Sequence, residues 1–212
     1  AARAAAAALA AVREHSEGDV LVFLPGAGEI RRCAAELAAL GLPGGVRVAP
    51  LYGALDAREQ DEAIAPARPG ERKIVLATDI AETSLTVEGV RIVVDAGLRR
   101  TPRFSPRTGL AHLETVPVTL ASAEQRRGRA GRIAPGVCCR LWTEEEHRRL
   151  APFSEPELLV TDLAPVALEL AIWGAPEPAA LAWLDPPPEA AFRQAMELLR
   201  MLGAVDERGA AT

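Results

Sequence analysis

Short apolar runs alternate with segments of helical periodicity along most of the chain, and this alternation constrains the fold more than any other feature. Short runs of this kind, bounded by proline, glycine or polar residues, are typical of strands buried on both faces. Strands that alternate with helices favour a doubly wound α/β fold with a parallel sheet. The predicted strands are residues 19–24, 46–51, 73–77, 91–95 and 137–142, and the predicted helices among them are 27–40, 56–64 and one that begins at Ser122.

Glycines and polar residues follow several of these predicted strands. Gly26 comes shortly after the first strand, Gly53 after the second, and Thr78 and Asp79 after the third. Parallel α/β sheets bind their ligands at the carboxyl ends of the strands. We therefore expect the ligand site to lie at this edge of the sheet.

An arginine-rich stretch, Gln-Arg-Arg-Gly-Arg-Ala-Gly-Arg, occupies residues 125–132. On a helix of 3.6 residues per turn, Gln125, Arg129 and Arg132 share one face. Guanidinium groups stay charged and form rigid donor forks, so this face suits a polyanion such as a triphosphate. The alternative is a solvated helix in which Gln125 is only the capping-box partner of Ser122.

Charge is distributed unevenly along the chain. The net charge of −5 argues against a protein that coats nucleic acid through bulk positive charge. Between Arg99 and Arg132, however, there are eight arginines and only two acids, Glu114 and Glu124. This local basic patch is consistent with contact to a polyanion.

The three cysteines, Cys33, Cys138 and Cys139, do not have metal-ligand spacing. Cys138 and Cys139 are adjacent in a predicted buried strand, which favours a reducing, cytoplasmic setting. No segment is long and apolar enough to span a bilayer. We predict neither a metal site within this chain nor a membrane partner.

A hairpin is predicted where the helix–strand alternation breaks. Extended segments 99–104 and 110–116 flank Ser-Pro-Arg-Thr-Gly at 105–109, and proline and glycine at those places favour a tight turn. The projecting hairpin would carry four arginines, although it could also be a surface decoration without function. The arginines are Arg99, Arg100, Arg103 and Arg107.

The last part of the chain has helical patterns and one short extended segment. We expect a small winged-helix module that is cut short in its wing, and its acidic, proline-flanked helices favour a structural brace over a DNA reader. The predicted helices are 162–173, 179–184 and 189–202, and residues 204–209 have the pattern of a strand followed by a turn.

Two domains are therefore expected, residues 1–149 and residues 150–212. The alanine-rich residues 1–12 are interpreted as a helix that continues from an upstream part of a longer protein.

Four blocks of the sequence resemble the second RecA-like domain of DEAH-box helicases of superfamily 2, over about residues 15–205. Phe-Leu-Pro-Gly at 23–26 resembles motif IV, Leu-Tyr-Gly at 51–53 the next block, residues 77–86 motif V, and residues 125–132 motif VI. The hairpin between motifs V and VI is also a feature of that family, and its run 104–110 is most similar to bacterial members. The resemblance implies a RecA-like parallel sheet with a projecting β-hairpin, followed by the winged-helix module.

For nucleotide binding, the resemblance implies half of a composite ATP site. Arg129 and Arg132 would act as arginine fingers on the γ-phosphoryl group, and Gln125 would orient the attacking water or the γ-phosphate. The implied ATP-binding residues are Ser84, which senses the nucleotide state, Glu88, which contacts the ribose, and Ile64, which replaces a phenylalanine that stacks on adenine in eukaryotic members.

For RNA binding, the resemblance assigns the hydroxyl of Thr78 to a backbone phosphate and leaves room at Gly53 for that backbone. Arg107 at the hairpin turn is a further RNA-binding candidate. Such contacts hold nucleic acid without reading its sequence. Asp79 stands where the family usually has asparagine, which places a negative charge near the phosphate path.

The sequence does not contain G-x-x-x-x-G-K-[ST] or an Asp-Glu-Ala-His box. The resemblance therefore implies that ATP and Mg²⁺ bind with an upstream RecA-like domain of the same chain, and that this fragment alone is inactive. The expected partner is single-stranded or duplex RNA, and the expected function is an ATP-dependent RNA helicase. The alternatives are a non-catalytic RNA-binding adapter and a DNA helicase of another superfamily 2 branch.

Overall fold

The computed structural model describes residues 1–83, 85–105, 108–132 and 134–212. The chain divides into two compact units, which are described separately below. The first comprises Ala1–Arg100 and Thr115–Phe153, and the second comprises Thr101–Glu114 and Ser154–Thr212.

Helices and strands alternate along the described chain up to residue 77, as the sequence predicts, and a 3₁₀ turn, Asp79–Ala81, precedes the next strand. The helices are α1 (Ala2–Glu14), α2 (Ala27–Leu40), α3 (Ala57–Ile64), α4 (Leu120–Gly128), α5 (Glu144–Arg148), α6 (Ala164–Ile172) and α7 (Glu189–Met201). The strands are β1 (Asp19–Phe23), β2 (Val46–Leu51), β3 (Arg72–Ala77), β4 (Val90–Asp95), β5 (Leu98–Ser105), β6 (Leu110–Pro117) and β7 (Val137–Arg140).

Five strands form one parallel sheet in the order β2-β3-β1-β4-β7, which confirms the predicted doubly wound α/β fold. The central strand β1 is buried along its whole length. Val20 and Val22 belong to the core that contains α1 and α2 residues, whereas Leu21 and Phe23 belong to the core on the opposite side. This split follows from the two-residue period of a strand, which sends successive side chains to opposite faces.

The strand β7 was expected to be buried, and this prediction is wrong. β7 pairs only with β4 and is therefore an edge strand of the described sheet. Val137 is 45% exposed, Cys139 is exposed and Cys138 is half-buried. An apolar sequence run does not reveal how many neighbours a strand will have, so the edge position was not predictable from it.

Helix ends follow local capping signals. Asp56 caps α3 in a capping box with Glu59, and Gly41 ends α2 with a φ of 76°, which glycine adopts without strain.

The predicted start of α4 at Ser122 is wrong. The cap is Thr119, whose hydroxyl accepts a hydrogen bond from the Ser122 N–H at 3.2 Å. The capping box proposed between Ser122 and Gln125 therefore does not form.

The strands β5 and β6 form a separate two-stranded sheet, which confirms the hairpin. Within the second unit, Arg103 on β5 pairs with Glu114 on β6 at 3.2 Å and with Glu155 at 3.1 Å. Pro106 and Arg107, which the sequence places at the turn, lie outside the described residues.

The second unit is built on the packing of α6 against α7. The predicted helix at 179–184 does not form, because a single 3₁₀ turn, Pro178–Ala180, takes its place. The Trp183 indole N–H donates to the Pro178 carbonyl at 2.8 Å and closes this compact turn. Too few residues lie before the prolines at 186–188 to offset the cost of helix nucleation.

The predicted wing of the second unit is present only as an isolated antiparallel bridge between Val205 and Ala211 in the described chain. Two α-helices and this bridge do not define a winged helix, so that assignment stays a prediction. The core of the unit is formed by buried side chains of α6, α7 and the bridge. They include Leu163, Ala167, Leu170, Phe192, Met196, Leu199 and Val205.

Candidate nucleotide and nucleic-acid site

The parallel strands β1, β2 and β3 end at one edge of the sheet. Two of the predicted RNA-binding residues, Gly53 and Thr78, follow β2 and β3 at this edge. The Thr78 N–H donates to the Leu51 carbonyl at 3.2 Å, so Thr78 lies beside the residues that lead to Gly53. A Cβ added at Gly53 would meet no atom within 4 Å, which leaves the backbone there open to an approaching ligand. Thr78 is half-buried at the start of a 3₁₀ turn, Asp79–Ala81.

The helix α4 ends before the arginine stretch does. It stops at Gly128, Arg129 is its C-cap, and Arg132 lies beyond it. The expected common helical face of Gln125, Arg129 and Arg132 therefore does not form. Hydrogen bonds from the N–H groups of residues 129 and 130 reach back only three residues, which tightens the helix end before Gly131.

Arg129 and Arg132 instead both donate hydrogen bonds to residues 82–88, which we call the 82–88 segment. The Arg129 guanidinium donates to the Glu82 carbonyl through Nε at 2.8 Å and through Nη2, and to the Leu85 carbonyl through Nη1 at 3.0 Å. Arg132 Nη1 donates to Thr86 Oγ1 at 2.8 Å. Main-chain carbonyls thus hold the first guanidinium, while a side-chain hydroxyl holds the second.

The two guanidinium groups differ in environment. Arg129 is half-buried, and burial lowers its pKa, as does the neighbouring charge of Arg132, while Glu82 opposes the shift. Arginine nevertheless stays protonated at physiological pH. Arg132 is exposed, as is Gln125 on α4. Two adjacent cations with one open to solvent form a place where an anion would relieve their mutual repulsion.

The other end of the 82–88 segment meets α3. The Glu88 N–H donates to the Ile64 carbonyl at 3.3 Å, and the half-buried Ile64 side chain packs against the same core as Leu85 and Val87. Glu88 is exposed. One segment therefore connects the predicted ATP-binding residues Ile64 and Glu88 with the predicted arginine fingers.

Two of the predicted site residues lie outside the described residues. They are Ser84, within the 82–88 segment, and Arg107, at the hairpin turn. Where the chain is described, no group of three or more His, Cys, Asp or Glu side chains is placed to hold a metal ion. None of the described helices has both the length and the apolar character needed to cross a bilayer.

Arg126 is a residue of this site to which the sequence assigned no role. Its side chain is only 1% exposed. Nε donates to Glu82 Oε2 at 2.9 Å, Nη1 donates to Asp95 Oδ1 at 3.0 Å, and the guanidinium lies 4.8 Å from the centroid of the Phe23 ring. Burial raises the pKa of Asp95, and the charge of Arg126 opposes that shift.

A sequence signal for Arg126 exists. Asp95 ends an apolar run and is expected to be buried, and a buried carboxylate requires a cationic partner. Arg126 follows Ser122 by four residues on the same helix, so the two side chains share a face. Both converge on Glu82, because Ser122 Oγ donates to Glu82 Oε2 at 2.6 Å.

Comparison with known proteins identifies the family. The sequence model of a protein family, the helicase conserved C-terminal domain, matches residues 3–134 of this chain. The chain belongs to this helicase family. It is 49% identical over 203 residues to the ATP-dependent RNA helicase HrpB of Escherichia coli (strain K12), covering 96% of this chain and 25% of that protein. It is 40% identical over 200 residues to the ATP-dependent RNA helicase HrpA of the same organism, covering 93% and 15% respectively.

A solved structure of a helicase has the same fold as this helicase C-terminal domain. The crystal structure of the Escherichia coli DEAH/RHA helicase HrpB superposes with a TM-score of 0.91 at 47% identity, over 99% of this chain and 26% of that one. The resemblance to the DEAH-box family is thus confirmed. The chain spans about a quarter of the length of HrpB.

Proposed function

We propose that this domain is the C-terminal motor half of an ATP-dependent RNA helicase or translocase, with half of a composite ATP site and a grip on the RNA backbone. The observation that supports this most directly is the convergence of Arg129 and Arg132 on the 82–88 segment. An RNA-binding adapter would not need two guanidinium groups hydrogen-bonded to the segment that also forms a hydrogen bond with Ile64.

In this proposal, Arg132 and Arg129 stabilise the charge that develops on the transferring γ-phosphoryl group, as arginine fingers do. The carbonyls of Glu82 and Leu85 fix the orientation of Arg129 before the nucleotide arrives, which reduces the cost of ordering it. Gln125 is exposed nearby in sequence and orients the attacking water or the γ-phosphate.

The nucleoside end of ATP is assigned to the opposite end of the 82–88 segment. Glu88 is exposed and available to the ribose, and Ser84 senses the nucleotide state. Ile64 offers an aliphatic contact to the base without aromatic stacking. Discrimination between bases should therefore be weak.

The residues of this domain fit the phosphates of ATP better than they fit Mg²⁺. Arg129 and Arg132 attract phosphate and repel a cation, and the described residues contain no cluster of metal ligands. Mg²⁺ bound to ATP would supply charge neutralisation on the phosphates. We assign its ligands, and the phosphate-binding lysine, to an upstream RecA-like domain of the same chain.

RNA is assigned to the carboxyl edge of the sheet. Gly53 leaves open space for the backbone and Thr78 offers a hydroxyl, while Arg107 on the hairpin adds a charge for a further phosphate. Contacts of this kind are independent of sequence and accept single-stranded RNA or the junction of a duplex. We place the protein in the cytoplasm, consistent with three free cysteines.

The decisive test is the turnover number of the full-length protein with Arg132→Ala. Loss of an arginine finger should lower kcat by about 10³- to 10⁵-fold, with a much smaller change in nucleotide affinity. Arg132→Lys keeps the charge but not the planar fork, so it should stay strongly impaired.

The matched control is Arg127→Ala, because Arg127 is exposed in the same stretch and its ion pair among the described residues is local, with Glu124 at 2.6 Å. Its kcat should remain close to that of the wild type. Full activity in Arg132→Lys would contradict the finger assignment. ATP turnover by the isolated 212-residue chain, abolished by Arg132→Ala, would contradict the composite site.

A further inference from the structure

Arg126 is the largest fully buried side chain of the described residues. Its guanidinium donates hydrogen bonds to the carboxylates of Glu82 and Asp95, and Nη1 also donates to the Leu98 carbonyl at 3.3 Å. A buried charge is costly unless it is paired and hydrogen-bonded, and the planar fork of arginine can reach several acceptors at once. One guanidinium therefore connects three separate parts of the first unit.

The first connection runs to the predicted arginine finger. Glu82 Oε2 accepts from Arg126 and Ser122, while the main-chain carbonyl of Glu82 accepts from Arg129. Glu82 is thus held through its side chain by Arg126 and holds Arg129 through its backbone. A displacement of the Arg126 guanidinium would shift the carbonyl that orients Arg129.

The second connection runs to the base of the hairpin. Leu98 is the first residue of β5, and Asp95 Oδ1 accepts from the Gly97 N–H at 2.9 Å as well as from Arg126. The Gly97 carbonyl in turn accepts from the Val118 N–H, directly after β6, at 2.9 Å. The same guanidinium therefore holds the base of the hairpin, where β5 begins and β6 ends.

We propose that Arg126 is a positioning residue that couples the arginine finger Arg129 to the base of the hairpin, so that ATP hydrolysis and strand separation are linked through one buried guanidinium. This inference rests on the proposed function for its enzymatic consequence. Its structural part, the mechanical link between the 82–88 segment and residues 97–98, does not depend on catalysis.

Removing Arg126 alone would leave the buried Asp95 carboxylate and the half-buried Glu82 carboxylate without their cationic partner and could unfold the domain. The informative variant is therefore the combination of Arg126→Met, Glu82→Gln and Asp95→Asn, which removes all three charges and nearly preserves volume. Arg126→Lys is the second variant, because one ammonium cannot reproduce the fork. Thermal melting of the full-length protein establishes that each is folded before any activity is compared.

The first measurement is the number of base pairs separated per ATP hydrolysed by the full-length protein. We expect the neutral triple variant to lower this ratio by about 2- to 30-fold, the range found for residues that couple distant sites. Arg127→Ala should leave the ratio unchanged. A folded triple variant with the wild-type ratio would overturn the inference, since a purely stabilising role would alter melting and not the ratio.

The second measurement is hydrogen exchange of the full-length protein, which requires no ATPase. The triple variant should exchange faster in the 82–88 segment and in residues 97–101 together. Faster exchange in only one of these places would overturn the inference, even if the protein proved not to be a helicase. Loss of ATPase in Arg132→Ala addresses the proposed function alone, so the two failures are distinguishable.

Discussion

The ammonium group of Lys73 donates a hydrogen bond to the carbonyl oxygen of Ile64 at 3.3 Å. That carbonyl also accepts from the Glu88 N–H, and the same ammonium donates to the carbonyls of Ala63, at 2.9 Å, and Ala65. Lys73 is fully buried and is the only lysine of the sequence. A single buried cation therefore closes the end of α3 and holds the part of the site assigned to the nucleoside.

Lys73→Met should lower the free energy of unfolding by about 1–3 kcal/mol, because methionine fills the space but removes the donor that serves the buried Ala63 carbonyl and two partly buried carbonyls. Urea denaturation of the 212-residue chain measures this. The control is the exposed Arg68, whose replacement by methionine should change the value by less than about 0.5 kcal/mol. Equal stability of the two variants would mean that Lys73 does not support α3.

The pH dependence of stability should reveal the same lysine. Burial lowers the pKa of Lys73 from its ordinary value of 10.5, so between the folded and unfolded pKa values the unfolded state binds more protons. The free energy of unfolding attributable to Lys73 must then rise with pH through that window and fall as pH decreases. Comparing wild type with Lys73→Met at alkaline pH isolates this contribution. An opposite slope in the difference would refute it.

Thr78→Ala in the full-length protein should raise the RNA concentration needed for half-maximal ATPase stimulation by about 2- to 12-fold, the equivalent of one hydrogen bond. Turnover without RNA should hardly change, because the backbone contact from Thr78 to Leu51 is retained. Thr78→Ser keeps the hydroxyl and should behave as wild type. An alanine variant that hydrolyses no ATP even without RNA would place Thr78 in the ATP site instead.

Shortening the hairpin tests whether it acts as a wedge at a duplex junction. Removal of residues 101–110 retains Arg100, which pairs with Glu29 at 3.2 Å at the hairpin base. Strand separation by the full-length protein should fall strongly while RNA-stimulated ATPase is largely retained. The wedge idea is wrong if both activities fall in parallel or if neither changes.

The parallel sheet was predictable because its signals are local. The pattern of 46–51 predicted β2 with its observed bounds, and Gly41 marked the end of α2. The grouping of Gly53 with Thr78 also followed, since parallel strands end at a common edge. These features depend on periodicity and turn chemistry, which a segment carries within itself.

The assignment of the arginines was only partly predictable. Helical periodicity placed Arg129 and Arg132 on one face, but the helix ends at Gly128 and the two meet through the 82–88 segment. The sequence predicted that Arg129 and Arg132 lie close together, but the shared helical face on which it relied does not exist. The convergence depends on a segment more than 40 residues away in sequence, which periodicity does not report.

The sequence by itself determined the strands, the order of the motifs and the edge at which they collect, because burial periodicity and turn residues act over a few positions. Only the tertiary structure decided that β7 is an edge strand, that Ile64 meets Glu88, and that Arg126 lies buried between Glu82 and Asp95. An arginine in a polar stretch is ordinarily solvated. Whether it is buried instead depends on carboxylates brought to it by distant segments, and that information resides in the packing of the whole domain.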